Sequence, residues 1–183
     1  MFMAALSPGD LGLICCSLYP AVGPELVDKM VAFNCRLEQE LVARREWGQQ
    51  GAPWEFNLRD LLRCKALVGG GGALQLGRYV GLVYGARLRR REDRARLEAA
   101  YREVFGPDDP LQEVEVSLHC SPDYVSIGQH RLERGAGGRS LQGGLQLLPG
   151  QAESLAGCVR YRWPVVLTGA SGSGKSALVS LLA

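Results

Sequence analysis

Apolar residues recur at helical spacing through the first part of the chain. Leu11, Ile14, Cys15 and Leu18 follow Ser7 and Asp10, either of which can cap a short helix running toward Pro20. Gly23-Pro24 opens a longer helix, because proline is tolerated in a first turn; Leu26, Met30, Phe33, Leu37 and Leu41 form its apolar stripe, and Gly48 ends it. Beyond the loop Gly51 to Pro53, Asn57 caps a third helix that turns Leu58, Leu61, Leu62 and Leu67 inward. Gly69 to Gly72 is a glycine tether. A fourth helical pattern carries Tyr79, Leu82, Val83 and Ala86, weakened by Gly77, Gly81 and Gly85. The last one places Leu97, Ala100, Tyr101, Val104 and Phe105 inside and stops at Gly106-Pro107.

After Pro110 the period changes. Val114, Val116 and Leu118 alternate with Glu113, Glu115 and Ser117, the pattern of a half-buried strand. The shift places a domain boundary between Gly106 and Leu111, giving a helical domain over 1–106 and a second domain over 111–183. Tyr124 to Gly128 is a short apolar hook, Gly135 to Gly144 a second glycine-rich loop, and Ala152, Leu155, Ala156 and Val159 mark another helix.

The chemistry sits near the end. Val165-Val166-Leu167-Thr168 is a short apolar run read as a strand. It leads into Gly169-Ala170-Ser171-Gly172-Ser173-Gly174-Lys175-Ser176, and Ala177-Leu178-Val179 then begins a helix. Strand, G-x-x-x-x-G-K-S and helix in that order are the context of a phosphate-binding P-loop. The glycines let successive backbone N–H groups curl toward phosphate oxygens, and the helix start adds unpaired donors and a positive dipole end. Lys175 is placed to reach β- and γ-phosphates, and the Ser176 hydroxyl to sit on magnesium, so the cofactors expected are ATP and Mg2+. The competing reading is a chance glycine-rich loop, which the agreement of both flanks disfavours. Only seven residues follow Ser176. A complete ATPase core also needs a strand carrying an acidic residue for magnesium and another that orients water, so the chain is expected to stop inside a domain, with the second part marginal alone.

Composition narrows the class without adding chemistry. The 183 residues are 46% apolar and 22% charged, a globular balance. With 21 basic and 19 acidic side chains, the net charge of +2 makes no electrostatic case for nucleic acid. No run has the length of a membrane span, and the apolar start lacks the positive region of a signal peptide. Six cysteines show no metal-ligand spacing and suggest a reducing compartment. His119 and His130 read as isolated, His130 as a surface residue.

Two basic features remain. Arg59 and Arg63 share one face at a helix start, where they oppose the helix dipole; an anionic partner would resolve the conflict, as would simple pairing with Glu55 or Asp60. Arg87, Arg89, Arg90, Arg91, Arg94 and Arg96 form a cluster interleaved with Glu92 and Asp93, read as a solvated face, with direct RNA contact as the alternative.

A helical domain followed by a P-loop domain is the order of tandem AAA+ modules. Trp54-Glu55-Phe56-Asn57-Leu58-Arg59-Asp60-Leu61-Leu62-Arg63 resembles the lid helix of the midasin family, the giant AAA+ ATPases of large ribosomal subunit assembly. Ser17 to Pro20, Lys29 to Asn34, Tyr84 to Arg89, Glu103 to Gly106 and Pro122 to Gly128 resemble neighbouring family segments in the same order. The resemblance implies an all-helical AAA+ lid subdomain followed by the truncated start of a P-loop AAA+ α/β core. It implies that Arg59 is the sensor-2 arginine reaching the γ-phosphate of the preceding module, and that Lys175 serves the following one. Val125, Ile127 and Gly128 look like the segment that packs on adenine. It further implies a nuclear ATPase acting on pre-60S ribosomal particles and their assembly factors, with neighbouring AAA+ modules as partners. A MoxR-like or dynein-like motor, or a helical interaction module with a vestigial loop, are the rivals. The glycine runs and Cys64-Lys65 depart from the family pattern.

Overall fold

A computed structural model describes residues 6–68, 76–107, 117–128, 130–133 and 149–182. They fall in two compact units, Met1–Gln112 and Glu113–Ala183.

The first unit is helical. Helix α1 (Pro8–Leu18) begins with a reciprocal cap: the Asp10 N–H donates to Ser7 Oγ (3.2 Å) and the Ser7 N–H to Asp10 Oδ2 (2.9 Å). The Ser7 hydroxyl also donates to Asp10 Oδ2 (2.6 Å), and this bond first, then that from the Ser7 N–H, holds the Asp10 carboxyl below its ordinary pKa. Helix α2 (Pro24–Leu37) passes into a π-helical stretch, Glu38–Ala43, so the single helix expected through to Gly48 is divided. The ladder widens there, with the Arg44 N–H reaching Gln39 O (2.8 Å). Around this stretch both oxygens of the Glu40 carboxylate are held, by Arg36 Nε (2.7 Å) and Trp47 Nε1 (2.8 Å). Leu41 stays buried, as its place in the stripe predicts. At Gly48 the chain turns with φ +73°, and an added Cβ would stand 2.8 Å from Leu41 Cδ2. The turn is pinned by its N–H, which donates to Asp93 Oδ1 (3.1 Å).

Helices α3 (Leu58–Val68), α4 (Leu76–Val83) and α5 (Arg91–Phe105), with a 3-10 turn at Gly85–Arg87, complete the unit. Phe33 is its centre. Its ring meets Tyr84, Tyr101 and Phe105 edge-on, with centroids 5.5, 5.8 and 5.8 Å away. Leu37, Leu61, Leu76 and Tyr101 of the same unit are each fully buried. Each such side chain contributes roughly 1.5–3 kcal/mol on burial, so the aromatic centre holds the helices together rather than their modest propensities.

The second unit holds a meander of three antiparallel strands, β1 (Leu118–Cys120), β2 (Tyr124–Ile127) and β3 (His130–Glu133), with Leu118 opposite Ile127 and Ile127 opposite His130. Such short connections permit only antiparallel pairing, which is why this segment does not open a parallel sheet. Val125 and Ile127 point to one face and pack against Ala152, Leu155 and Ala156 of α6 (Pro149–Arg160) and Leu178 of α7 (Lys175–Leu182).

Several sequence expectations change here. Val165 to Thr168 forms no strand and pairs with none among the described residues, and Val166 is 86% exposed. A two-sided apolar strand is stable only between neighbours, and the described strands β1 to β3 supply none to it. His130 is buried, not superficial, because its position in β3 faces α6, where an added Cβ at Gly157 would come within 3.0 Å of its Nε2. Val159 is exposed. Of the half-buried strand expected through Val114, Val116 and Leu118, Leu118 is described: it opens β1 and is exposed. Val114 and Val116, and the glycine segments Gly69 to Gly72 and Gly135 to Gly144, lie outside the described residues.

Candidate functional site

Two cationic sites stand out, one in each unit. The first is the loop 169–176. Gly172 and Gly174 adopt φ +77° and +82°, values that side chains other than glycine rarely take, so the turn depends on them. Ser173 N–H closes back on Ala170 O (3.3 Å), and the Leu178 N–H on Gly174 O (2.9 Å) starts α7 directly behind the loop. Lys175, the first residue of α7, folds over the loop it follows. Its ammonium donates to Gly169 O (2.9 Å), Ala170 O (2.6 Å) and Ser173 Oγ (3.3 Å), using all three protons. Ser171 and Ser176 are exposed, Ser176 in the first turn of α7, and Ala177 is half-buried.

That arrangement fits a phosphate. A helix N-terminus directs unpaired N–H groups at the loop, and a lysine lies across its mouth on exchangeable carbonyl contacts. Magnesium would take the Ser176 hydroxyl and phosphate oxygens; no group of His, Cys, Asp and Glu able to hold a metal occurs among the described residues. Val125 and Ile127, expected near adenine, are in the core between β2 and α6 with 1% and 0% exposure. Their side chains are committed to packing. Gly128 follows them with φ +56°; its N–H donates to Ser117 O (2.8 Å), and a Cβ there would overlap the Glu153 carboxylate.

The second site is a cleft of about 440 Å³ in the helical unit, lined by Trp54, Asn57, Arg59, Arg63, Arg87 and Arg89 among others. Asn57 caps α3: its Oδ1 accepts from the Arg59 N–H (3.0 Å), while its own N–H reaches Asp60 Oδ2 (3.4 Å). Asp60 is buried, yet its carboxylate does not pair with Arg59. Arg87 Nη2 donates to Asp60 Oδ1, and Arg63 Nη1 lies 3.9 Å from that same atom. Arg59 is exposed, and no acidic side chain among the described residues pairs with it. Of the two explanations open for Arg59 in the sequence, pairing with Asp60 is thus already used by other arginines.

Sequence reasoning missed Arg87. It stood in a basic cluster read as solvated, whereas its guanidinium is half-buried against Phe56 and Tyr84, 5.8 and 5.9 Å from the ring centroids. The available signal was that Tyr84-Gly85-Ala86-Arg87 belongs to the family-like phrases. Cys64, one turn beyond Asp60, is fully buried; burial first, then the Asp60 charge, push its thiol far up, so it is no nucleophile.

Comparison with known proteins decides the family. Residues 10–108 match the family described as the midasin AAA lid domain, which is more than half of the chain. The chain belongs to that family. Over its whole length it is also similar to midasin of Dictyostelium discoideum, at 27% identity over 210 aligned residues. It spans only 4% of that protein's length. The lid match covers the arginine cleft and helices α1 to α5, apart from the first two residues of α1, whereas loop 169–176 lies beyond it.

Proposed function

We propose that this chain carries the lid of one AAA+ module followed by the phosphate-binding loop of the next, as part of a midasin-like ATPase. In this reading residues 1–106 are the lid and 111–183 the beginning of a second module. The parent couples ATP hydrolysis to remodelling of pre-60S ribosomal particles in the nucleus and the release of their assembly factors, with adjoining AAA+ modules as partners. The observation that carries the reading is the loop: G-x-x-x-x-G-K-S in which two glycines hold positive φ, a helix starts behind them, and the lysine crosses the mouth.

The residues do the following. Backbone N–H groups of 170–175 and the start of α7 hold β- and γ-phosphate oxygens. Lys175 would exchange its contacts with Gly169 O and Ala170 O for phosphate oxygens, and the Ser176 hydroxyl oxygen would coordinate magnesium. Ala177 adds backbone at the helix start, and Gly128 offers backbone on the adenine side. Arg59 faces the nucleotide of the preceding module, so the two sites serve different nucleotides. In this reading residues 1–183 by themselves bind nucleotide weakly and do not turn it over, since turnover needs further groups that hold magnesium and orient water.

Calorimetric titration with ATP tests this. Magnesium-dependent binding should appear in the wild-type chain and vanish in Lys175→Ala. Absence of binding in the wild type would leave a helical interaction module with a vestigial loop. Phosphate release abolished by Lys175→Ala would show that the chain holds a complete catalytic site.

A further inference from the structure

The arginine cleft contains a device that the family assignment does not account for. Arg87 bonds with three of its guanidinium edges at once. Its Nε donates to Val83 O at the end of α4 (2.9 Å), its Nη1 to Glu55 O in the approach to α3 (3.1 Å), and its Nη2 to Asp60 Oδ1 in the first turn of α3. Its planar fork packs against Phe56 and Tyr84, so it has little freedom left. The Trp54, Phe56 and Tyr84 rings stack in series, with centroids 6.3 and 6.1 Å apart, and the Trp54 indole N–H donates to Gly48 O (2.6 Å). The strand of chain before α3 is therefore fixed along its length by side chains from other elements.

The consequence is mechanical. Arg87 holds the buried Asp60 carboxylate in the first turn of α3. Arg59 and Asp60 are adjacent on that helix and their side chains leave it in different directions, so the bond that fixes Asp60 leaves the Arg59 guanidinium at the cleft. We propose that Arg87 is the positioning residue of the cleft: by holding Asp60 and Glu55 it sets the start of α3 so that Arg59 meets a phosphate anion. This rests on the reading of Arg59 as a phosphate contact.

A double-mutant cycle separates positioning from fold stability and from general charge. Inorganic tripolyphosphate is titrated into the Lys175→Ala chain at low salt, so that loop 169–176 does not contribute. Arg59→Gln should weaken binding about tenfold, the equivalent of one charge-assisted hydrogen bond. Arg87→Lys keeps the charge but loses the fork, and should weaken binding about fivefold, yet do nothing further in the Arg59→Gln background. Equal weakening by Arg87→Lys in both backgrounds overturns the proposal, as does wild-type affinity in Arg87→Lys while Arg59→Gln is impaired. If Arg59→Gln itself changes nothing, or the parent chain shows no binding, the reading of Arg59 fails first. Should Arg87→Lys not fold, Asp60→Asn serves instead. A pure charge effect predicts tighter binding when that carboxylate is removed; the positioning role predicts weaker binding.

Discussion

The two units build their cationic sites by opposite means. In the helical unit the site is made by side chains at long sequence separation: Arg87 reaches Asp60 and Glu55, and Asp93 reaches Gly48. In the second unit it is made within a few consecutive residues, with Lys175 contacting Gly169, Ala170 and Ser173. A loop that bonds to itself forms its local shape without a finished sheet around it. Accordingly, loop 169–176 adopts its turn although Val165 and Val166 before it remain exposed, at 41% and 86%. The arginine cleft, by contrast, exists only if the whole helical core is closed.

That difference can be broken most severely at Phe33. Its replacement by alanine removes the ring shared by Tyr84, Tyr101 and Phe105 and should destabilise the helical unit by about 3–5 kcal/mol. Denaturant unfolding followed by aromatic fluorescence would show it, and tripolyphosphate binding in the cleft should disappear with it. Glycine backbone signals of loop 169–176 should not move; if they do, the loop depends on the helical core after all.

A smaller effect is expected at Glu40, which joins α2 to the segment leading into Gly48. Burial pushes its carboxyl upward, yet the bonds from Arg36 and Trp47 outweigh that and hold it below the ordinary value. Asp10 is lowered too, by its two bonds with Ser7. Both groups bind a proton less readily folded than unfolded, so the unfolded chain takes up more protons in acid. Stability contributed by these carboxylates is therefore complete above the ordinary carboxylate range and is lost as pH falls through the lowered folded values. Glu40→Gln should cost about 1–3 kcal/mol at neutral pH and flatten that acid dependence. A Glu40→Gln chain with the wild-type acid profile would remove Glu40 from the account.

Least should happen at Val166. Its side chain is almost wholly in solvent, so Val166→Ser should change stability by less than about 0.5 kcal/mol. A large loss there would mean that the run 165–168 is packed as a strand in solution.

Much of this contrast could be read in the sequence, for physical reasons that differ by region. The helices were legible because apolar stripes such as Met30, Phe33, Leu37 and Leu41 repeat at the period of the helix itself. The turn of loop 169–176 was legible because its glycines, Lys175 and Ser176 lie together in the sequence. The widened turn at Glu38–Ala43 was hidden, since the bonds that accompany it come from Arg36 and Trp47 and leave no local period. Arg87 was hidden for the same reason: Asp60 and Glu55, which it reaches, lie 27 and 32 residues away, and the apolar pattern around it gives no sign of them. His130 misled because one histidine carries no pattern; only the sheet register placed it against α6.

The central claim is that Arg59 and Lys175 serve separate phosphates. Its most direct test compares magnesium-dependent ATP affinity in Arg59→Gln with that in Lys175→Ala. The account predicts that Lys175→Ala abolishes this binding while Arg59→Gln leaves it unchanged. Equal loss in the two variants would place both cations on a single nucleotide and contradict it.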